Sequence, residues 1–151
     1  ARGELTLFGP AGHDAHYTGE LERRAEAAGV ICGGVLSREE VAHELAQSDL
    51  VCLPSLWFEN LPLVVLEARA AGVPLLVSDL GGLAEAVREP LGGWRFPAGD
   101  VPALTSRLEE LLLKPELLDS VEIPAAASAE VHFKRLFEVY DEVLEEREGS
   151  Q

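Results

Sequence analysis

The sequence predicts an α/β fold: a Rossmann-like parallel sheet with helices on both faces. Three observations lead there. Short strand-like runs alternate with helix-like stretches along the chain. The runs at 5–8, 50–53 and 74–77 are apolar nearly throughout, as expected of strands covered on both sides rather than on one. Many of the turns between them carry Gly or Pro, and strand–helix alternation of this kind belongs to parallel α/β architectures.

In chain order, residues 5–8 form a strand that stops at Gly9-Pro10-Ala11-Gly12. A helix is expected over 17–28, with Gly29 placed to end it. Residues 30–35 are strand formers, but Gly33 and Gly34 point to a close approach of backbone. Ser37-Arg38-Glu39-Glu40 has capping-box spacing, with Leu36 and Val41 placed as a hydrophobic staple, and opens a helix to Gln47. The strand at 50–53 ends at Pro54-Ser55, and a helix containing Glu67 follows, running to Ala71-Gly72. A strand at 74–77 leads to a short helix over 80–88 behind Gly81-Gly82. A small strand at 93–96 precedes Pro97-Ala98-Gly99-Asp100. Asp100 is placed to cap the helix of 101–114, whose first turn tolerates Pro102. A last helix over 128–146 ends at Gly149. No repeat or internal linker interrupts the chain, so residues 1–151 are expected to be one unit.

A chain of 151 residues, 47% apolar, is long enough for a real core, and no run approaches a membrane span. The opening residues lack the basic and apolar regions of a secretory signal and begin almost at once with a strand, as though a longer chain had been cut. Net charge is −15, from 27 acids against 12 bases, and Lys114 and Lys134 are the only lysines. That balance excludes nucleic acid and disfavours an anionic membrane surface. A small phosphorylated ligand remains open, because local backbone donors can hold it. Cys32 and Cys52 lack CxxC spacing and are expected as buried, reduced thiols, with a disulfide as the alternative. This usage agrees with a cytoplasmic protein. His13, His16, His43 and His132 are scattered, so no zinc site is expected.

The most informative stretch is Glu59 to Ala68, two carboxylates eight positions apart around an apolar run. If Asn60 or a neighbour opens the helix, Glu59 sits at its mouth. Glu67 then lies about 12 Å further along the axis, two turns inside. A carboxylate beside so apolar a segment needs a polar partner. A ligand hydroxyl is one candidate, and the rest of the chain favours it; an ion pair with Arg69 or Arg88 is the structural alternative. The loops at Gly9, Gly34, Pro54-Ser55 and Asp79-Gly81-Gly82 all fall at the carboxyl ends of strands, the edge where such sheets bind ligands.

These residues resemble the C-terminal, donor-binding domain of retaining glycosyltransferases with two Rossmann domains (GT-B architecture), in glycosyltransferase family 4. The ordered set is Pro54-Ser55, Glu59, Glu67-Ala68, Gly72-Pro74, Gly81-Gly82, Glu85 and Pro97-Gly99-Asp100, within a match over at least 5–104. SAEVHFKRLFEVYDEVL is similar to the family's closing helix. The resemblance implies that Glu67 binds the ribose hydroxyls of a UDP-, GDP- or ADP-sugar and that Glu59 lies near the transferred sugar, as the catalytic candidate. Asn60 and Leu61 would offer backbone N–H groups to sugar and diphosphate, as Pro62 cannot. Gly34 and Val35, beside Gly33, would hold the base. Ser55 would stand near the diphosphate, and Gly82 would border the cleft. Each has a structural alternative: a helix-mouth carboxylate for Glu59, plain turns for Gly34, Ser55 and Gly82. Trp57 stands beside the site, with core or interface packing as its commoner role.

The chain departs from the family pattern at its start. The family domain normally opens with a further strand, a Gly-Arg loop and a Lys-Gly helix start, whose basic pair stabilises the leaving diphosphate. The first strand–helix unit and the N-terminal acceptor domain are therefore expected to be missing, and this fragment alone is expected to be inactive. A free sheet edge would invite dimerisation, hence a homodimer, or another chain segment. The full-length parent is expected to be a hexosyltransferase of polysaccharide, lipid or small-molecule biosynthesis. It would need no cofactor or metal and would act in the cytoplasm, with room for peripheral attachment at the inner membrane face. A GT-B nucleotide-sugar epimerase and a non-catalytic binding or assembly domain are the alternatives.

Overall fold

The computed structural model describes residues 3–12, 14–125 and 128–148. The chain runs β1 (Thr6–Phe8), α1 (Ala15–Ala28), β2 (Ile31–Gly34), α2 (Arg38–Gln47), β3 (Val51–Leu53) and α3 (Leu63–Ala71). It continues with β4 (Leu75–Ser78), α4 (Gly81–Ala86), β5 (Gly93–Phe96), α5 (Val101–Leu113), α6 (Glu116–Asp119) and α7 (Ala129–Glu148). This is the expected α/β order. The single turn of α6 is the one element no cap or apolar period announces.

Local chemistry explains most boundaries. Asp14 starts α1 two residues before the expected point, its carboxylate accepting the N–H groups of His16 (2.9 Å) and Tyr17 (3.1 Å). Gly29 closes that helix in the left-handed conformation, φ 71°. Ser37 and Glu40 form both halves of the expected capping box on α2. Asp100 accepts the Ala103 N–H at 2.9 Å and opens α5. One boundary differs in a way that matters: α3 begins at Leu63 behind Pro62, and not near Asn60. A residue before proline is pushed out of the helical region, so Leu61 cannot lie inside a helix start. Glu67 is therefore the fifth residue of α3, just over one turn inside rather than two.

All strand pairing is parallel, but the strands form two sheets where one was expected: β1-β2 and β3-β4-β5. The core sits on the three-stranded sheet. Successive residues of β4 point to opposite faces. Leu75 and Val77 meet Val65 and Ala68 of α3, Leu83 of α4 and Leu45 of α2. Leu76 meets Trp94, Phe96 and Leu111, packed under α5 and α6. Helices thus cover both faces of this sheet, as its apolar strands required.

The β4–β5 seam is tight at Gly93, where an added Cβ would stand 1.9 Å from the Leu75 carbonyl oxygen and φ is +132°. Gly93→Ala is expected to destabilise the domain by about 3 kcal/mol or more, read by chemical denaturation. A loss under about 1 kcal/mol would contradict that packing.

The β1-β2 sheet is different. All four residues of β2 are exposed, as are Leu7 and Phe8 of β1. Cys32 is accordingly exposed rather than buried, because no second helix layer covers its strand; Cys52 faces the α5 side of the core, and both thiols are free. Burial pushes the Cys52 thiol up to about 11. An alkylating reagent at neutral pH should therefore modify Cys32 first, and Cys52 should gain reactivity as pH rises toward 11, because the thiolate is the nucleophile. Equal rates at neutral pH would refute this assignment. The apolar residues Phe133, Phe137, Tyr140 and Leu144 of α7 are also exposed, outside both cores.

Candidate functional site

The loop from β3 to α3 carries half of the expected site residues, and α4 holds it in place. The Gly82 N–H donates to the Glu59 carbonyl at 2.7 Å. A Cβ on Gly82 would lie 1.3 Å from the Asn60 carbonyl oxygen, and one on Gly81 would lie 2.9 Å from that of Glu59. Two glycines open α4 because a backbone crosses directly over them. The structure thus brings Glu59, Asn60 and Gly82 together. It also commits the Gly82 N–H to the protein, so Gly82 seats the loop and offers no free amide to a ligand.

Glu59 is half-buried, and its Oε1 accepts the Trp57 indole N–H at 2.5 Å. Among the described residues no N–H of α3 reaches this carboxylate, so it is not a helix-mouth cap. Asn60 and Leu61 are exposed, and Ser55 is half-buried. Pro62 is the N-cap of α3 and supplies no capping side chain. The N–H groups of Leu63 and Val64 consequently have no side-chain acceptor and are available to an anion.

Glu67 is half-buried on the seam where α3 packs against α2. It lines two adjoining grooves of about 370 and 460 Å³ together with Arg38, and Val41, Leu63, Leu66 and Ala70 complete their walls. Neither alternative ion pair forms among the described residues: Arg69 instead donates to the Ala86 carbonyl, and Arg88 makes no bridge to Glu67. Arg38 is the site neighbour that sequence reasoning missed. The capping box held the signal, since it makes Arg38 the first residue of α2, close to the carboxyl end of β2.

Gly34 and Val35 lead from β2 toward Ser37 and Arg38. Gly34 takes φ +70° and a Cβ there would meet nothing within 4 Å, so the space beside it is open; Val35 is exposed. Of the close backbone approach foreseen at Gly33 and Gly34, only Gly33 is crowded, and by a side chain: the Phe8 ring would lie 2.2 Å from a Cβ there. His13 lies outside the described residues, and among those described no three His, Cys, Asp or Glu side chains cluster as metal ligands.

Residues 4–126 match the model of the family described as glycosyl transferases group 1. The chain belongs to that family. This group 1 domain is 34% identical over 103 residues to the amylovoran biosynthesis glycosyltransferase AmsK of Erwinia amylovora, covering 65% of this chain and 25% of AmsK. It is 31% identical over 114 residues to the phosphatidyl-myo-inositol mannosyltransferase of Mycobacterium leprae, covering 73% of this chain and 30% of that protein. Among solved structures, Anabaena HepE in complex with UDP superposes with a TM-score of 0.68 at 22% identity, over 76% of this chain and 32% of HepE. Sucrose-phosphate synthase of Thermosynechococcus elongatus gives 0.71 at 21%, over 93% of this chain and 38% of that one. The fold of this group 1 domain is therefore the parallel α/β arrangement of GT-B glycosyltransferases. It spans 25% to 38% of the length of these proteins.

Proposed function

We propose that this group 1 domain is the donor-binding part of a retaining, family 4 glycosyltransferase that moves a hexose from a nucleoside-diphosphate sugar to a hydroxyl acceptor. The observation that carries the proposal is the placement of Glu67: a half-buried carboxylate with no cationic partner among Arg69 and Arg88, lining an open groove just inside a helix whose N-terminus has no side-chain cap. An ionised carboxylate there accepts two ribose hydroxyls, and the bonds gain from its charge. The free N–H groups at the start of α3, beside Asn60, Leu61 and Ser55, meet the diphosphate. Gly34 and Val35 take the base, and Glu59 faces the transferred sugar. The donor set holds no metal and no cofactor, and the acceptor belongs to the part of the protein outside this chain.

The split sheet supports a further part of the proposal. The doubly wound strand order 3-2-1-4-5-6 places one parallel strand between the pair that β1 and β2 resemble and the trio that β3, β4 and β5 resemble. We assign that place to a strand–helix unit of the same polypeptide, which would also bring the basic groups for the leaving diphosphate. In a protein that includes the unit, backbone amides of β1 and β3 should exchange with deuterium far more slowly than in this chain alone. Equal exchange would refute the assignment, and a doubled mass in solution with protected edges would point to a homodimer. No helix among the described residues is long and apolar enough to cross a membrane. We place the enzyme in the cytoplasm on the two free thiols, Cys32 and Cys52, which fit a reducing compartment.

Saturation-transfer NMR with UDP, GDP, ADP and their sugars tests the donor. Signal on the ribose protons, lost in Glu67→Ala, is the expected result. Silence with every nucleotide in the full-length protein would end the proposal.

A further inference from the structure

We infer that Trp57 is a positioning residue for Glu59, its indole N–H holding one carboxylate oxygen so that the other is presented to the transferred sugar. The inference rests on the donor-binding reading above. The two tryptophans of this chain have opposite environments. Trp94 is 8% exposed and belongs to the core beneath α5, whereas Trp57 is 65% exposed and belongs to neither core. Packing accounts for Trp94 and leaves Trp57 unexplained. Its one polar atom explains it: Nε1–H donates to Glu59 Oε1 at 2.5 Å.

The link is anchored at Glu59. The Glu59 carbonyl is held by the Gly82 N–H at 2.7 Å, and between the two residues the Phe58 ring lies 3.1 Å from where a Gly81 Cβ would stand. With main chain and side chain both fixed, the carboxylate is oriented before any ligand arrives. An indole N–H is a donor only, so it holds a carboxylate oxygen without competing with it as a base. Glu59 Oε2 has no protein partner among the described residues, which leaves it to meet a sugar hydroxyl or developing positive charge. Such orientation counts in catalysis because the charge needs no reorganisation when the transition state forms.

The test uses the natural full-length protein with Trp57→Phe, Glu59→Gln and the double variant. Phenylalanine keeps an aromatic ring and removes only the donor. The Trp57 indole N–H resonance, assigned by its loss in Trp57→Phe, should shift in Glu59→Gln, a readout independent of turnover. In transfer assays Trp57→Phe should lower kcat about tenfold, as expected for one lost charge-assisted hydrogen bond, with donor KM within about twofold of wild type. The double variant should be no slower than Glu59→Gln, because Trp57 acts through Glu59. An unmoved Trp57 indole resonance, an unchanged kcat in Trp57→Phe, or losses that multiply in the double variant would each overturn the inference while leaving the donor-binding reading intact. A wild-type protein that transfers from no nucleotide sugar would overturn both.

Discussion

Glu67→Ala is expected to lower the affinity for the nucleoside diphosphate by about a hundredfold or more. Two hydrogen bonds to an ionised carboxylate are lost, each worth about 1.5–3 kcal/mol. The protein itself should barely notice, because Glu67 makes no ion pair among the described residues and lies on a solvent-facing groove. Melting temperature should stay close to wild type, which separates a lost contact from a lost fold. Glu67→Gln keeps the shape and one acceptor oxygen without the charge, and should fall between the two. Calorimetry with the nucleotide alone reads the effect without needing an acceptor. Unchanged affinity in Glu67→Ala would remove the ribose role and with it the main support for the donor site.

Gly82→Ala is expected to do the reverse, costing turnover and stability while sparing most of the nucleotide affinity. The new methyl would coincide with the Asn60 carbonyl, 1.3 Å away, so either the loop that holds Glu59 or the start of α4 must move. Displacing a catalytic group by an ångström costs on the order of a hundredfold in rate. The strain should also lower stability by about 2–4 kcal/mol. Glu67 stands on α3, in the groove shared with Arg38, and is not part of that crossing. Nucleotide binding that collapses together with turnover would show that the two glutamates are not seated independently.

The expected site was legible to different depths at different residues. Glu59, Asn60 and Gly82 were named from sequence and meet in space, yet the sense of Gly82 changed: its amide serves Glu59, not a ligand. Glu67 was named, but its depth in α3 was overestimated because Pro62 sets the helix start two residues later than Asn60 would. Arg38 and the Trp57–Glu59 bond were not foreseen. Arg38 shares a groove with Glu67 only because α2 packs on α3, and no spacing within either segment encodes that. Cys32 was expected to be buried from its apolar neighbours, but strand residues are covered only when a helix layer lies over them.

By itself the sequence determined most of the elements and several of their ends. Asp14, Ser37 and Asp100 cap by local hydrogen bonds, and Gly29 and Gly72 close helices through left-handed backbone, all within a few residues of chain. It also determined that β4 would be buried on both faces, since apolar side chains alternate to opposite sides whatever the register. Tertiary structure decided which strands pair, that they fall into two sheets, and which carboxylate gains a partner. Those outcomes depend on contacts between residues far apart in the chain, whose geometry no local period records. The Gly82 crossing shows the boundary: a glycine pair is visible in the sequence, but only the fold shows that the backbone of Glu59 and Asn60 lies where its side chains would have been.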